Sequence, residues 1–241
     1  MPKPPNARVQ DKRAKDKRAQ EKRAHDARSQ DRRAQDGRAQ DIRAQNIRAK
    51  DTRANIVQAA SKLFYAEGIG RVSMDAVAEK AGVTKRTLYY HFDSKDDLVA
   101  AYLDARDQPN LTQMAGWFAA AEGGADAKVA AIFAALAKSA RHPKWKGCGF
   151  LRTTAELAAL PGHPAVKIGA RHKAAFATWL AGELESAGFD APMALARQIL
   201  LLLDGAFSAS LVHRDASWFE EAGAAAGALV RAHPRAKSAV S

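Results

Sequence analysis

The sequence predicts an all-α chain, and three observations predict it. From Ala54 onward apolar residues recur at three- and four-residue steps, no stretch alternates like a β-strand, and glycine and proline punctuate the chain at helix-length intervals. The 241 residues suffice for a substantial core and for one large or two small domains. The formal charge of +12 is unevenly placed: up to Arg53 there are 17 Lys and Arg against 8 Asp and Glu, which leaves only +3 for the remainder. Such basicity favours a polyanionic partner. Cys148 is the only cysteine, which excludes an intramolecular disulfide framework and a zinc site built on several thiolates. No metal and no cofactor is expected. No apolar run approaches the roughly 20 residues of a membrane span, and no short apolar signal core stands at the N-terminus, so the expectation is a cytoplasmic protein without a membrane partner.

Residues 1–53 form an arm with a five-residue repeat. Arginine stands at Arg8, Arg13, Arg18, Arg23, Arg28, Arg33, Arg38, Arg43, Arg48 and Arg53. Five residues turn a helix by about 500°, so the repeat winds over every face and builds no apolar side. Between Gln10 and Asp41 there is no large apolar residue to offset the entropy of ordering. Ala, Arg, Gln and Lys are nevertheless good helix formers, so the arm reads as a solvated, frayed helix or a disordered segment. It is either a repeat expansion without a specific role or a nonspecific phosphate-contacting arm whose contribution falls with salt.

Residues 54–98 carry the chemistry. Ile56, Val57, Ala60, Leu63 and Phe64 define a first amphipathic helix ending at Glu67-Gly68. Ser73 caps a short helix holding Met74, Val77 and Ala78, which stops at Ala81-Gly82. Thr84 caps a second short helix, Lys85 to His91, with Leu88 and Phe92 inward and Lys85, Arg86, Thr87, Tyr89 and Tyr90 outward. Two short helices across a glycine turn are the sequence form of a helix-turn-helix, whose second helix lies in the DNA major groove with its leading residues at base edges. Ser94 to Asp97 reads as a capping box that starts a fourth helix and aims Lys95 at the same backbone.

The segment from Ser73 to Leu98, above all Gly82-Val83-Thr84-Lys85-Arg86-Thr87-Leu88-Tyr89-Tyr90-His91-Phe92-Asp93-Ser94-Lys95, resembles the TetR family of bacterial transcriptional regulators. The resemblance implies that Tyr89, Tyr90 and His91 contact phosphates and thymine methyls and that Lys95 contacts phosphate. Ser73, Thr84, Lys85, Arg86 and Thr87 complete the expected DNA-binding set. Arg86 departs from the small residue common at this position in relatives, and its long side chain reaches guanine O6 and N7. Tyr89 also reads as a packing residue with a wet hydroxyl, and His91 as a structural histidine holding the fourth helix.

Residues 99–233 read as a helical effector-binding and dimerisation domain, and 234–241 as a disordered tail. The fourth helix is expected to fade at Asp107-Gln108-Pro109. Further helices are expected over Leu111 to Ala121, Asp126 to Arg141, Phe150 to Leu160, Pro164 to Ala187, Pro192 to Val212 and Trp218 to Ala232, the last started by a capping box from Ser217 to Glu220. The Pro192 helix is apolar almost all round, which demands burial on more than one side. Leu200, Leu203, Phe207, Leu211, Gly223 and Gly227 are therefore assigned to a homodimer bundle, with core packing within one chain as the alternative. Trp117, Phe118, Phe133, Phe150, Phe176 and Trp179, with the polar Glu156 and His172, are candidates to hold a small, largely apolar effector; the alternative is ordinary core for the aromatic residues and exposed or capping roles for Glu156 and His172.

The expected function is a ligand-responsive regulator, a repressor released from a palindromic double-stranded DNA operator by that effector. The alternative is a sequence-indifferent nucleic-acid binder driven by the arm. An enzyme using Cys148 with His163 or His172 as base is the reading from a different class, but no nucleophile elbow, phosphate loop or metal spacing accompanies them, so no catalytic residue is assigned.

Overall fold

The computed structural model describes residues 43, 45–160 and 162–236. The chain divides into two units, residues 1–54 and 55–241. In the first, residues 43 and 45–54 are helical and largely exposed, and Thr52 Oγ1 donates to the Arg48 carbonyl at 2.9 Å. The remainder of the arm lies outside the described residues.

The second unit is helical throughout. Its elements are α1 (residues 55–67), α2 (Met74–Ala81), α3 (Lys85–His91), α4 (Lys95–Ala120), α5 (Ala125–Ala140), α6 (Gly149–Glu156), α7 (Pro164–Ser186), α8 (Pro192–His213) and α9 (Ser217–Ala232). Among the described residues there is no strand, only an isolated antiparallel bridge between Phe189 and Arg235. That bridge sits in a short ladder, with Asp190 N–H on the Pro234 carbonyl and Ala236 N–H on the Gly188 carbonyl, both 3.0 Å. Residues 234–236 thus have fixed partners and are not part of a loose tail; 237–241 lie outside the described residues.

The period-3.6 pattern places the core. Ile56, Val57, Ala60 and Phe64 of α1 bury with Val77 of α2, Leu88 of α3 and Leu98 of α4, so the first four helices share one apolar centre. Behind them α4 packs on α5 and α7, α6 on α7, α7 on α8, and α8 and α5 both on α9. Phe133, Phe150, Phe176 and Phe219, each almost wholly buried, fill the interior of this body.

Three readings of the sequence are corrected. The fourth helix does not fade at Pro109: α4 runs through it to Ala120. Proline removes the hydrogen bond to the Ala105 carbonyl and crowds it, but α4 is held on both sides by α5 and α7, so packing overrides the local break. The start of α9 is set by Asp215 instead of a Ser217 capping box. Asp215 accepts the Ser217 N–H at 2.9 Å and its hydroxyl at 2.6 Å, which holds the Asp215 carboxyl below its ordinary range. Finally α8, 22 residues long, is apolar and long enough by composition to cross a membrane. Here it lies in the body between α7 and α9, with Leu195, Ile199 and Leu203 fully or almost fully buried.

Candidate nucleic-acid interface

Local hydrogen bonds build the reading head. Ser73 Oγ accepts the Ala76 N–H at 3.1 Å and starts α2. Gly82, at φ 67°, closes it in the left-handed conformation that glycine adopts without strain; Gly82 N–H reaches the Glu79 carbonyl and Val83 N–H the Ala78 carbonyl, both 3.0 Å. Asn55 Nδ2 donates to the Ala81 carbonyl at 2.7 Å and ties that turn to α1. Thr84 Oγ1 then accepts the Thr87 N–H at 3.1 Å, which starts α3 one turn from the glycine.

Leu88 of α3 is buried and Thr87 and His91 are half-buried, while the other residues of the helix are presented outward. Arg86, Tyr89 and Tyr90 are exposed, the last at 80%. Lys85 is exposed too, but its ammonium lies 2.8 Å from Asp75, whose hydrogen bond and charge hold the Lys85 pKa above its ordinary value. The Thr84 and Thr87 hydroxyls are 2.8 Å apart, so Thr84 is engaged as a cap and not presented as a free phosphate donor. The Tyr90 and His91 rings meet edge to face at 5.1 Å. Ser94 Oγ accepts the Asp97 N–H and donates to Asp97 Oδ2, which places the half-buried Lys95 at the first turn of α4. Arg86, Thr87, Tyr89 and Tyr90 therefore share a short, mostly cationic and aromatic helix whose first turn offers unsatisfied N–H groups to an anion.

The expected effector residues do not form one set. Phe118, Phe176 and Trp179 meet in one cluster, with Trp179 5.6 Å from Phe118 and 5.7 Å from Phe176, and Trp117 is half-buried. Phe150 stacks on His172 at 3.8 Å and nearly parallel, whereas Phe133 packs where Gly223 of α9 leaves room for it. His172 Nδ1 is 2.7 Å from Asp107 Oδ1, and Arg171 bridges Asp104 and Asp107 from the same helix. Burial pushes the His172 pKa below its ordinary value, against the opposing pull of Asp107, so the neutral ring donates to the carboxylate. Glu156 is exposed and leaves the aromatic region altogether: its carboxylate accepts the Ile69 N–H at 3.1 Å and the Gly70 N–H at 2.5 Å, between α1 and α2. Its long-range partners were not readable from spacing.

The dimer assignments are also redistributed. Leu203, Phe207, Gly223 and Gly227 are buried within their own chain, and Leu200 and Leu211 are half-buried. The apolar side chains that α8 and α9 leave outside are Met193, Leu201, Val212 and Trp218. Cys148 is buried and its sulfur accepts the Leu151 N–H, His163 caps α7 through the Ala165 N–H and faces Asp96, and His172 faces Asp107. A cleft of about 610 Å³ that no sequence signal marked lies between the end of α5 and the α8–α9 turn, lined in part by Arg141, Trp145, Lys146 and Arg214.

A short outward-facing helix set across a glycine turn, in front of a helical body, defines a helix-turn-helix DNA-binding regulator. The family described as bacterial regulatory proteins, tetR family, matches residues 56–102. The HTH-type transcriptional regulator TtgR of Pseudomonas putida is 44% identical over 50 residues, which span 21% of this chain and 24% of that relative. A TetR-family transcriptional regulator from Streptomyces coelicolor superposes with a TM-score of 0.66 at 31% identity, over 76% of this chain and 95% of that one. A structure described as a TetR-type regulator from Streptomyces avermitilis gives 0.66 at 27% identity, over 76% and 97%. The chain belongs to the TetR family of transcriptional regulators.

Proposed function

We propose that the chain acts in the cytoplasm as a homodimeric repressor whose two copies of α3 enter successive major grooves of a palindromic operator, and that a small effector releases it. The observation that carries this reading is α3 itself: Leu88 anchors it while Arg86, Tyr89 and Tyr90 face outward. Arg86 reads a base edge, Tyr89, Tyr90 and His91 pack on the backbone and thymine methyls, and Lys95 with the first turn of α3 holds phosphate. Ser73, Thr84 and Lys85 act one step back, as caps and as the pair that fixes α2 to α3.

The partner of the dimer is a second copy against the apolar face of α8 and α9. Leu201 and Val212, each 73% exposed, stand on α8, and the exposed Trp218 of α9 stacks on His213 at the end of α8. Burying that face in an intermolecular four-helix bundle completes the second side that a helix apolar around most of its circumference needs. Two recognition helices about 34 Å apart then match one turn of DNA. The effector is proposed to act on the aromatic region around Phe118, Phe150, Phe176 and Trp179, and it lowers operator affinity only to the extent that it binds the two arrangements unequally.

Selection of bound duplexes from random DNA tests the reading. The expected result is a palindrome with half-sites about one helical turn apart; recovery of no shared sequence would refute it.

A further inference from the structure

The join between the helix-turn-helix and the body carries an inference beyond the family's general architecture. At the end of α1 the backbone runs out of partners of its own. The Ile69 N–H, which would serve the Tyr65 carbonyl in a longer helix, is given instead to Glu156 Oε2 at 3.1 Å, and the Gly70 N–H to Glu156 Oε1 at 2.5 Å. The Tyr65 carbonyl is taken by Arg152 Nη1 at 2.9 Å. Arg152 and Glu156 are four residues apart on α6, so one helix face supplies both the donor and the acceptor that the α1 terminus lacks. Tyr65 is gripped further by the Lys146 N–H on its hydroxyl at 2.9 Å and by the Arg106 guanidinium 5.2 Å from its ring centre.

Glycine makes the contact possible. A Cβ on Gly70 would stand 2.9 Å from Glu156 Oε1, closer than van der Waals contact allows, and Gly68 turns the chain at φ 93° with room for a Cβ only 3.6 Å from Glu156 Oε2. The turn from Gly68 to Gly70 is thus shaped to admit a carboxylate, and a charged acceptor on two backbone donors is a stiff link.

We infer that Arg152 and Glu156 are a clasp that fixes the orientation of the helix-turn-helix on its body, and that Glu156 is a positioning residue for the half-site spacing the dimer accepts. The inference rests on the dimeric operator-reading proposed above. Glu156 touches no DNA in this scheme. It limits how far each reading head swings, so its loss widens the range of spacings bound and lowers affinity for the preferred one, because a freer head gives up more orientational entropy on docking.

The test uses the full chain and operators recovered with the wild-type protein, each remade with one base pair inserted at its centre, which moves the second half-site by about 3.4 Å. Glu156→Gln keeps the shape of the side chain but turns an amide NH2 toward one of the two backbone donors. Gly70→Ala displaces the carboxylate from the other side without altering α6. In both variants affinity for the original operator is expected to fall about tenfold, and the preference for original over lengthened operator to shrink by a similar factor. Base preference within each half-site should stay as in wild type, a readout that general damage to the reading head would move. Unchanged spacing preference in both variants overturns the inference, and so does tighter binding, which would mean that the clasp holds the head away from DNA. A wild-type chain that selects no paired half-sites overturns the dimeric reading first and this inference with it.

Discussion

Lys85 with Asp75 and His172 with Asp107 each join two helices through a carboxylate, in opposite surroundings. The first pair joins α2 to α3 with side chains 62% and 65% exposed; the second joins α7 to α4 with side chains 2% and 11% exposed. Water screens the first, so it adds little to stability and leaves the side chains available to a partner. The second pair lies in low dielectric, where an unmatched member would cost far more than a surface ion pair returns. The reading head displays its polar groups on locally built supports. In the body the His172–Asp107 pair is concealed and depends on the neighbours that bury it.

Four variants sharpen or break that contrast. The largest effect is expected from Phe150→Ala, because Phe150 is fully buried and forms the wall on which His172 stacks. A loss of about 3 to 5 kcal/mol is expected in denaturant unfolding; a loss below about 1 kcal/mol would mean that the polar pair is not held by the surrounding core. Next is Arg86→Ala, which should leave unfolding within about 0.5 kcal/mol of wild type while removing about 1 to 3 kcal/mol of discrimination at a single base position in footprinting. Lys95→Ala, by contrast, should weaken all duplexes alike and reduce the salt dependence of binding. If both variants behave alike, the division between base reading and backbone holding fails.

The smallest effect concerns pH. Because the folded His172 pKa is depressed below its ordinary 6.5, the unfolded chain takes up this proton first as pH falls. Its contribution to stability is therefore complete above that value and declines as pH drops through 6.5 toward the lower folded pKa. His172→Gln, which keeps a donor for Asp107, should flatten the fall in melting temperature between about pH 8 and about pH 5.5 relative to wild type. Equal slopes in the two proteins would remove His172 from the account.

The same contrast explains what the sequence made legible. Ser73, Gly82, Thr84 and Ser94 act on backbone groups within five residues of themselves, so their roles follow from spacing alone. Helix existence in the body was equally readable from periodicity. The face each helix turns to a partner was not, since α8 is apolar around most of its circumference and periodicity does not separate Leu203, buried at home, from Leu201, left outside. Pro109 misled because a local rule met a tertiary constraint. For Glu156 spacing offered an effector anchor or an exposed or capping residue; the backbone groups it accepts lie 86 and 87 residues away in sequence, beyond the reach of any local pattern.

The proline in α4 has a mechanical consequence. One rung of the backbone ladder is absent where Ala105 faces Pro109, so the bending stiffness of this long helix is lowest in that turn. Asp104 and Asp107 occupy the same turn; Arg171 of α7 holds both, and His172 of α7 holds Asp107 as well. The neighbouring helix acts as a splint across the weak joint: rigidity that α4 cannot generate from its own backbone is lent to it by α7. A displacement of α7 would accordingly be felt as a hinge motion in the rod whose other end begins at Lys95.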